Sequence, residues 1–490
     1  MKVGLLQAID DRSQIERRYP PLGLSYLASY LGKYGGIDQI VFRRSPQDLI
    51  AEKPDFVGIS SVTHNFNRAI RSAKEIREAL GVPVVVGGSH ISALPHTLPS
   101  CFDVGVLGEG EETFLDLCRQ YESRGSLSPD ILSKIPGIVF HGVEGTTTTP
   151  FRPLIDPLDH IPPPRRDLMS DSVDPSFRHD MHMLTSRGCP YKCVFCFSTQ
   201  YWGRVRFFSP RRVVDEIKDL VENLGATSIN LYDDLFIANR KRLKEIADLL
   251  EEDGLTGKVR LSCASARADL LDEEVCALLR SMNVQAIGFG AESGSQPVLS
   301  YLKKDTTTVE DNQRVIDLCQ SYGFQLFASF IIGAPGEGEK DLVATYEFIS
   351  KNASRFHAVD VYSLTPYPGT PVWQEAASRG LVSDDMDWDI LAQDPQICDT
   401  SRSIILNEQL SREQFYLYFR LFQHLCREIQ TGRSLLELSQ TVDTQSREIA
   451  RLRETVEGFK RGRVMKLLMR AQDAGRRLGL GGPAEGTGGL

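Results

Sequence analysis

Residues 185–200 read Thr-Ser-Arg-Gly-Cys-Pro-Tyr-Lys-Cys-Val-Phe-Cys-Phe-Ser-Thr-Gln, and they decide the fold. Cys189, Cys193 and Cys196 stand in the spacing C-x3-C-x2-C, with glycine and proline flanking the first of them. The apolar run Met181 to Leu184 precedes them, so the stretch reads as a strand that ends in a tight loop with three thiols at its mouth. A structural zinc site wants four ligands, commonly two C-x2-C pairs, and no second pair exists here. The other seven cysteines are scattered singly. Three thiolates suit a [4Fe–4S] cluster that leaves one iron open, because such clusters ordinarily take four. The bland reading, three unrelated core cysteines, does not account for the spacing.

The motif, with the aromatic Phe195 just before its third cysteine, resembles the cluster motif of radical S-adenosylmethionine enzymes. The resemblance implies that the open iron is chelated by S-adenosylmethionine (SAM), and that reductive cleavage gives a 5′-deoxyadenosyl radical. It also implies a reducing partner such as flavodoxin or ferredoxin.

Working outward, residues 181–375 alternate apolar runs with amphipathic helical stretches. Expected strands are Met181–Leu184, Ser228–Tyr232, Val259–Ala264, Ala286–Gly290, Leu326–Ile332 and Ala358–Leu364. That pattern predicts a partial (β/α)6 barrel with its chemistry at the carboxyl ends of the strands. Those ends carry residues similar to the family's SAM elements. Asp233 and Asp234 stand where the family holds the SAM ammonium, and Ser265 and Arg267 follow the next strand, with Arg267 fitting the methionyl carboxylate. Glu292 opens an E-S-G-S element that approaches the ribose or sulfonium, and Gly333 begins the segment whose backbone meets adenine. Taken singly, each is an ordinary turn residue; their order after the cysteine loop carries the resemblance.

Residues 1–145 show the same alternation, with expected strands Val3–Leu6, Ile40–Phe42, Phe56–Ser61, Val82–Val86 and Val104–Leu107. Together with helices between them, this predicts a doubly wound, Rossmann-like α/β domain that binds its ligand beyond the carboxyl ends of the strands. The loops there hold Ser60, Ser61, His64, Gly87, Gly88, Gly108 and Glu109, small residues and hydroxyls that let a ligand approach the backbone. These loops resemble the cobalamin-binding domain that precedes many radical SAM enzymes, which implies cobalamin as a further cofactor. The D-x-H-x-x-G cobalt-ligand signature is absent from residues 1–145, as it often is in cobalamin domains of radical enzymes.

Residues 146–180 are rich in proline and charge and read as a linker laid over the surface. Beyond the barrel, residues 376–430 read as an irregular and helical cap. Residues 431–477 combine a heptad seam (Leu435, Leu438, Val442, Gln445, Ile449, Leu452, Val456, Phe459) with a basic amphipathic stretch. They suggest coiled-coil self-association or a weak membrane contact, and 478–490 is a glycine-rich tail. A net charge of -9 argues against nucleic acid as a partner. Single cysteines and the lack of a secretion signal point to a reducing cytoplasm.

The resemblance implies hydrogen abstraction from an unactivated carbon of a small substrate, then methylation from methylcobalamin, which a second SAM regenerates. Radical chemistry without methyl transfer (diol dehydration, cyclisation, ring rearrangement or epimerisation) is the alternative. A non-catalytic metal-binding assembly protein is the reading from another class.

Overall fold

The computed structural model describes residues 1–10, 13, 21–172, 179–393 and 402–431. The heptad seam, the basic stretch and the glycine-rich tail lie outside the described residues, as does the expectation of self-association or membrane contact built on them. Residues 1–430 form one compact unit.

Its first sheet holds β1 (Val3–Gln7), β2 (Ile40–Arg43), β3 (Phe56–Ser60), β4 (Val84–Gly87), β5 (Val104–Val106), β6 (Ile138–Gly142) and β7 (Gly145–Thr148), in the order β2-β1-β3-β4-β5-β6-β7. The first five strands are parallel, and β6 and β7 add on antiparallel. The order 2-1-3-4-5 places a topological switch between β1 and β3, where doubly wound sheets bind ligands. Val57, Val84 and Val86 are buried runs, as strands covered on both faces require. Helices Leu22–Gly35 and Glu111–Arg124 pack together, as do Pro46–Ala51 and Phe66–Leu80. The β6–β7 hairpin was not expected from the sequence. Its signal is a β-branched run interrupted by Gly142 and Gly145, and it carries the sheet past residue 145.

The second large sheet is all parallel and strictly sequential: β8 (Asp180–Met183), β11 (Ser228–Leu231), β12 (Arg260–Ala266), β13 (Val284–Glu292), β14 (Gln325–Ile332) and β15 (Ala358–Ser363). The six strands fall where the periodicity places them. Each connection carries a helix, so the strands make the partial barrel, with all carboxyl ends on one rim. A short antiparallel ribbon, β9 (Ser186–Arg187) with β10 (Arg206–Phe207), brackets the cysteine loop.

The open edge at β15 is covered by the helix Arg412–Gln430. Gln423 and Gln430 donate side-chain amide hydrogens to the carbonyls of Val361 and Val359, at 2.8 and 3.2 Å. This blunts an edge that could otherwise pair with another chain.

The segment 146–180 departs from the surface-laid linker expected of it. Ile155, Leu158, Ile161 and Met169 are buried, so apolar side chains between the prolines anchor it to the body.

Candidate active site

The cysteine loop leaves β8 and is pinned by its own backbone. Val194 donates its N–H to the carbonyl of Leu302 at 3.0 Å and accepts at its carbonyl from Val372 N–H at 3.2 Å. The loop is therefore held to the barrel without help from a ligand. Cys193 is buried, and Cys189 and Cys196 are half-buried. Each sulfur receives an N–H: Cys189 from the backbone of Tyr191, Cys193 from Arg267 at 3.5 Å, and Cys196 from the backbone of Ser198 at 3.4 Å. Burial pushes the thiols of Cys189 and Cys196 up, the latter to about 11, and neighbouring thiol charge adds to it. The backbone donors on Cys189 and Cys196 oppose that effect and favour the thiolate, the form that binds iron. Among the described residues no three His, Cys, Asp or Glu side chains are placed to hold a single metal ion. A cubane cluster asks less, since each of its irons takes one thiolate. The donor set fits a [4Fe–4S] group.

The strand-end residues divide by role. Asp233 is buried and accepts from Thr185 N at 2.5 Å, Ser186 N at 3.2 Å, Ser186 Oγ at 2.8 Å, and the Thr185 hydroxyl. Its carboxylate braces the strand that leads into the cysteine loop. Burial raises its pKa, against the pull of those hydrogen bonds. Asp234 faces the loop instead, accepting from Gly188 N at 3.2 Å and Ser198 Oγ at 2.8 Å. Successive residues leaving a strand point opposite ways, which separates the two acids. Ser265 Oγ donates to the carbonyl of Asp234 at 3.0 Å, tying the two rim loops together.

Glu292 ends β13 at φ +60°, beside a register shift, and pairs with buried Lys303 at 3.0 Å. With Phe195, Ser329, Ile331, Tyr362, Tyr367 and Gln393 it lines a cavity of about 260 Å³ at the mouth of the barrel. Lys303 was not singled out in the sequence, because an ion pair to Glu292 leaves no trace in spacing. Gly333 donates its N–H to Glu337, whose other carboxyl oxygen has no partner. A Cβ at Gly333 would come within 2.9 Å of the Phe415 ring, so the cap helix closes directly over this loop. Burial pushes the Glu337 carboxyl up to about 8, so it is neutral at pH 7.

In the unfolded chain the Glu337 carboxyl ionises near its ordinary value, so this raised pKa favours folding most at low pH. The benefit fades as pH rises towards 8. Glu337→Gln keeps a neutral acceptor and is expected to stabilise the protein above pH 8 by roughly 1–3 kcal/mol, with little effect at pH 5. Denaturant unfolding at the two pH values checks this; a gain of equal size at both contradicts it.

The first domain presents its own cradle. A cavity of about 150 Å³ runs beneath the carboxyl ends of β3, β4 and β5, lined by Gly58, Ser60, Gly87, Gly88, Gly108 and Phe114 among others. A Cβ at Gly108 would meet nothing within 4 Å, whereas one at Gly88 (φ +115°) would come within 2.2 Å of the Ser61 carbonyl. The loops hold open space at one glycine and tight backbone contact at the other, which fits a flat ligand laid against main chain. Ser61 is buried and turns its hydroxyl to the carbonyl of Val62 at 3.0 Å. His64 is half-buried, its ring 6.4 Å from that of Tyr367, and does not line the cavity.

Glu109 also lines this cavity, and it is tied into a buried ion-pair network. Its carboxylate accepts from Arg187 at 2.6 Å, from Arg206 at 2.9 and 3.0 Å, and from Ile155 N at 2.9 Å. Arg187 also reaches Glu111 at 2.5 Å, and all four side chains are buried. Burial pushes the Glu109 pKa up, but the two arginines outweigh it and hold the carboxyl below its ordinary value. This knot joins the first sheet to the ribbon around the cysteine loop. Beside it, Tyr201 donates to the Gly108 carbonyl at 3.0 Å. A second cavity, of about 420 Å³, is lined jointly by Leu107, Gly108 and Phe151 from one side and by Phe197, Gln200 and Tyr201 from the cysteine-loop side.

Two family models match the chain: the B12 binding domain over residues 12–118 and the radical SAM superfamily over 183–349. A relative from Pyrococcus horikoshii, named uncharacterized methyltransferase PH0819, is 32% identical over 74% of this chain and 80% of its own length. The anaerobic magnesium-protoporphyrin IX monomethyl ester cyclase of Rubrivivax gelatinosus is 29% identical over 76% of this chain and 69% of its own length. Among solved structures, the radical SAM methyltransferase TsrM of Kitasatospora setae, with cobalamin and a [4Fe–4S] cluster bound, shares the fold. It has a TM-score of 0.67, 19% identity, and coverage of 87% of this chain and 89% of that one. The chain therefore belongs to the cobalamin-dependent radical S-adenosylmethionine enzymes, grouping with their methyltransferases.

Proposed function

We propose that the protein methylates an unactivated carbon of a small molecule seated at the barrel mouth, between Phe195, Glu292, Tyr367 and the cap residue Gln393. The single observation that carries this reading is the shared cavity. Gly108 of the first domain lines one space with Phe197, Gln200 and Tyr201, which directly follow the cysteine loop, so a cobalamin held there would lie beside that loop.

Cys189, Cys193 and Cys196 would hold the cluster, with Phe195, Asp234, Ser265, Glu292 and Gly333 around SAM. Ser60, Gly87, Gly88 and Gly108 would hold cobalamin. When bound, SAM at the cluster supplies a 5′-deoxyadenosyl radical for hydrogen abstraction, and methylcobalamin supplies the methyl group. The chain's own part is to orient and to exclude water. The Gly333 loop is roofed by Phe415, and the Lys303 ammonium pairs with Glu292 where a ribose hydroxyl can donate to its carboxylate.

The reading is tested by the visible spectrum of anaerobically purified protein supplied with cobalamin. Corrin bands that stay with the protein through gel filtration support it, and a corrin-free protein would overturn the cobalamin assignment. In the same assay, Gly88→Val is expected to weaken cobalamin retention by about tenfold or more, because its Cβ meets the Ser61 carbonyl. Retention equal to wild type would remove the β4 loop from the site.

A further inference from the structure

Arg267 follows β12 at the barrel rim and is buried. Its Nε donates to Asp269 Oδ1 at 2.9 Å, and its Nη2 to Thr306 Oγ1 at 2.8 Å and Thr307 Oγ1 at 2.9 Å. Nη1 donates to Cys193 Sγ at 3.5 Å. The guanidinium lies 3.5 Å over the Tyr191 ring, and Tyr191 Oη in turn donates to Asp269 Oδ2 at 2.8 Å. Of the five N–H donors of an arginine, four are engaged. The plane of the fork is clamped on one face by a ring that itself belongs to the cysteine loop. Swinging this side chain out to grip a carboxylate would break three hydrogen bonds and an ion pair in a buried setting, each costly to leave unmade.

We propose that Arg267 is a positioning and tuning residue for the cluster: it donates to the Cys193 sulfur and raises the reduction potential, and does not clamp the methionyl carboxylate of SAM. The proposal rests on the reading of Cys189, Cys193 and Cys196 as cluster ligands. A cluster sulfur gains negative charge when the cluster takes an electron. An N–H aimed at that sulfur, on a cationic group, therefore stabilises the reduced state more than the oxidised one. Asp269, Thr306 and Thr307 fix the direction of the donor, and the Tyr191 ring fixes its plane.

The test is a redox titration of the reconstituted cluster, followed by electron paramagnetic resonance, alongside SAM affinity measured on the same samples. Arg267→Gln is expected to lower the equilibrium constant for reduction by about tenfold, a shift of 59 mV to more negative potential for one electron. SAM affinity should change by less than about threefold. Reductive cleavage of SAM should fall with a mild reductant and recover with a stronger one, which a purely structural loss would not do. Arg267→Lys, which keeps charge but not the fork, should shift the potential less than Arg267→Gln. Thr306→Val with Thr307→Val leaves the arginine in place but frees its direction, and should shift the potential the same way by a smaller amount; it also serves if Arg267→Gln fails to fold. An unchanged potential with SAM affinity weakened by about tenfold or more would overturn the proposal and make Arg267 the carboxylate clamp. A wild-type protein that assembles no iron–sulfur cluster would instead overturn the proposed function itself.

Discussion

Cys193→Ala is expected to abolish reductive cleavage of SAM, a loss of at least about 10³-fold, while the protein remains folded and soluble. Three thiolates are already one fewer than such a cluster ordinarily takes, so two leave it without a stable site. The fold should survive because the loop does not depend on the metal. Val194 is held on both sides by backbone hydrogen bonds to Leu302 and Val372. Removing one buried sulfur costs about 1–2 kcal/mol in packing and in the lost Arg267 contact. Iron content, 5′-deoxyadenosine yield and far-ultraviolet circular dichroism, measured together, check the prediction. A variant that retained cleavage would remove Cys193 from the cluster.

The second large effect is expected at the knot between the domains. Glu109→Ala leaves Arg187 and Arg206 buried with only Glu111 to balance them, at a cost of about 3–5 kcal/mol. Glu109→Gln keeps the shape but not the charge and should fall between. Because the folded carboxyl is held below its ordinary pKa, its stabilisation is complete above the unfolded value and is lost as pH falls through the folded one. Acid should therefore loosen the wild-type junction and have little further effect on Glu109→Gln. Denaturant unfolding across pH 3 to 7 reads both. Equal acid sensitivity in the two proteins would mean that the knot does not govern the junction.

Much of the molecule is legible from local pattern. The parallel strands of both sheets lie where apolar runs alternate with helical periodicity, within a residue or two at their ends. The cysteine loop announces itself by spacing. What pattern could not convey are relations between distant residues. Arg187 lies inside the stretch that fixes the fold, yet nothing local marks its bond to Glu109 across 78 residues. Likewise Asp233 and Asp234 are equal as letters, and only the strand's alternation sends one into a brace and the other to the loop. Arg267 was legible as a cation at the right strand end. Its partners Thr306 and Thr307 sit in the next connection, beyond β13, and hold it toward the cysteine sulfur. The segment 146–180 shows the converse, since its prolines masked apolar anchors that bury it against the body.

The most direct test of methyl transfer uses anaerobic protein with cobalamin, reductant and SAM carrying a labelled methyl group. Both 5′-deoxyadenosine and S-adenosylhomocysteine are expected to form, with label passing to cobalamin. Formation of 5′-deoxyadenosine alone, with no label on cobalamin, would contradict this and assign the protein to radical chemistry without methyl transfer.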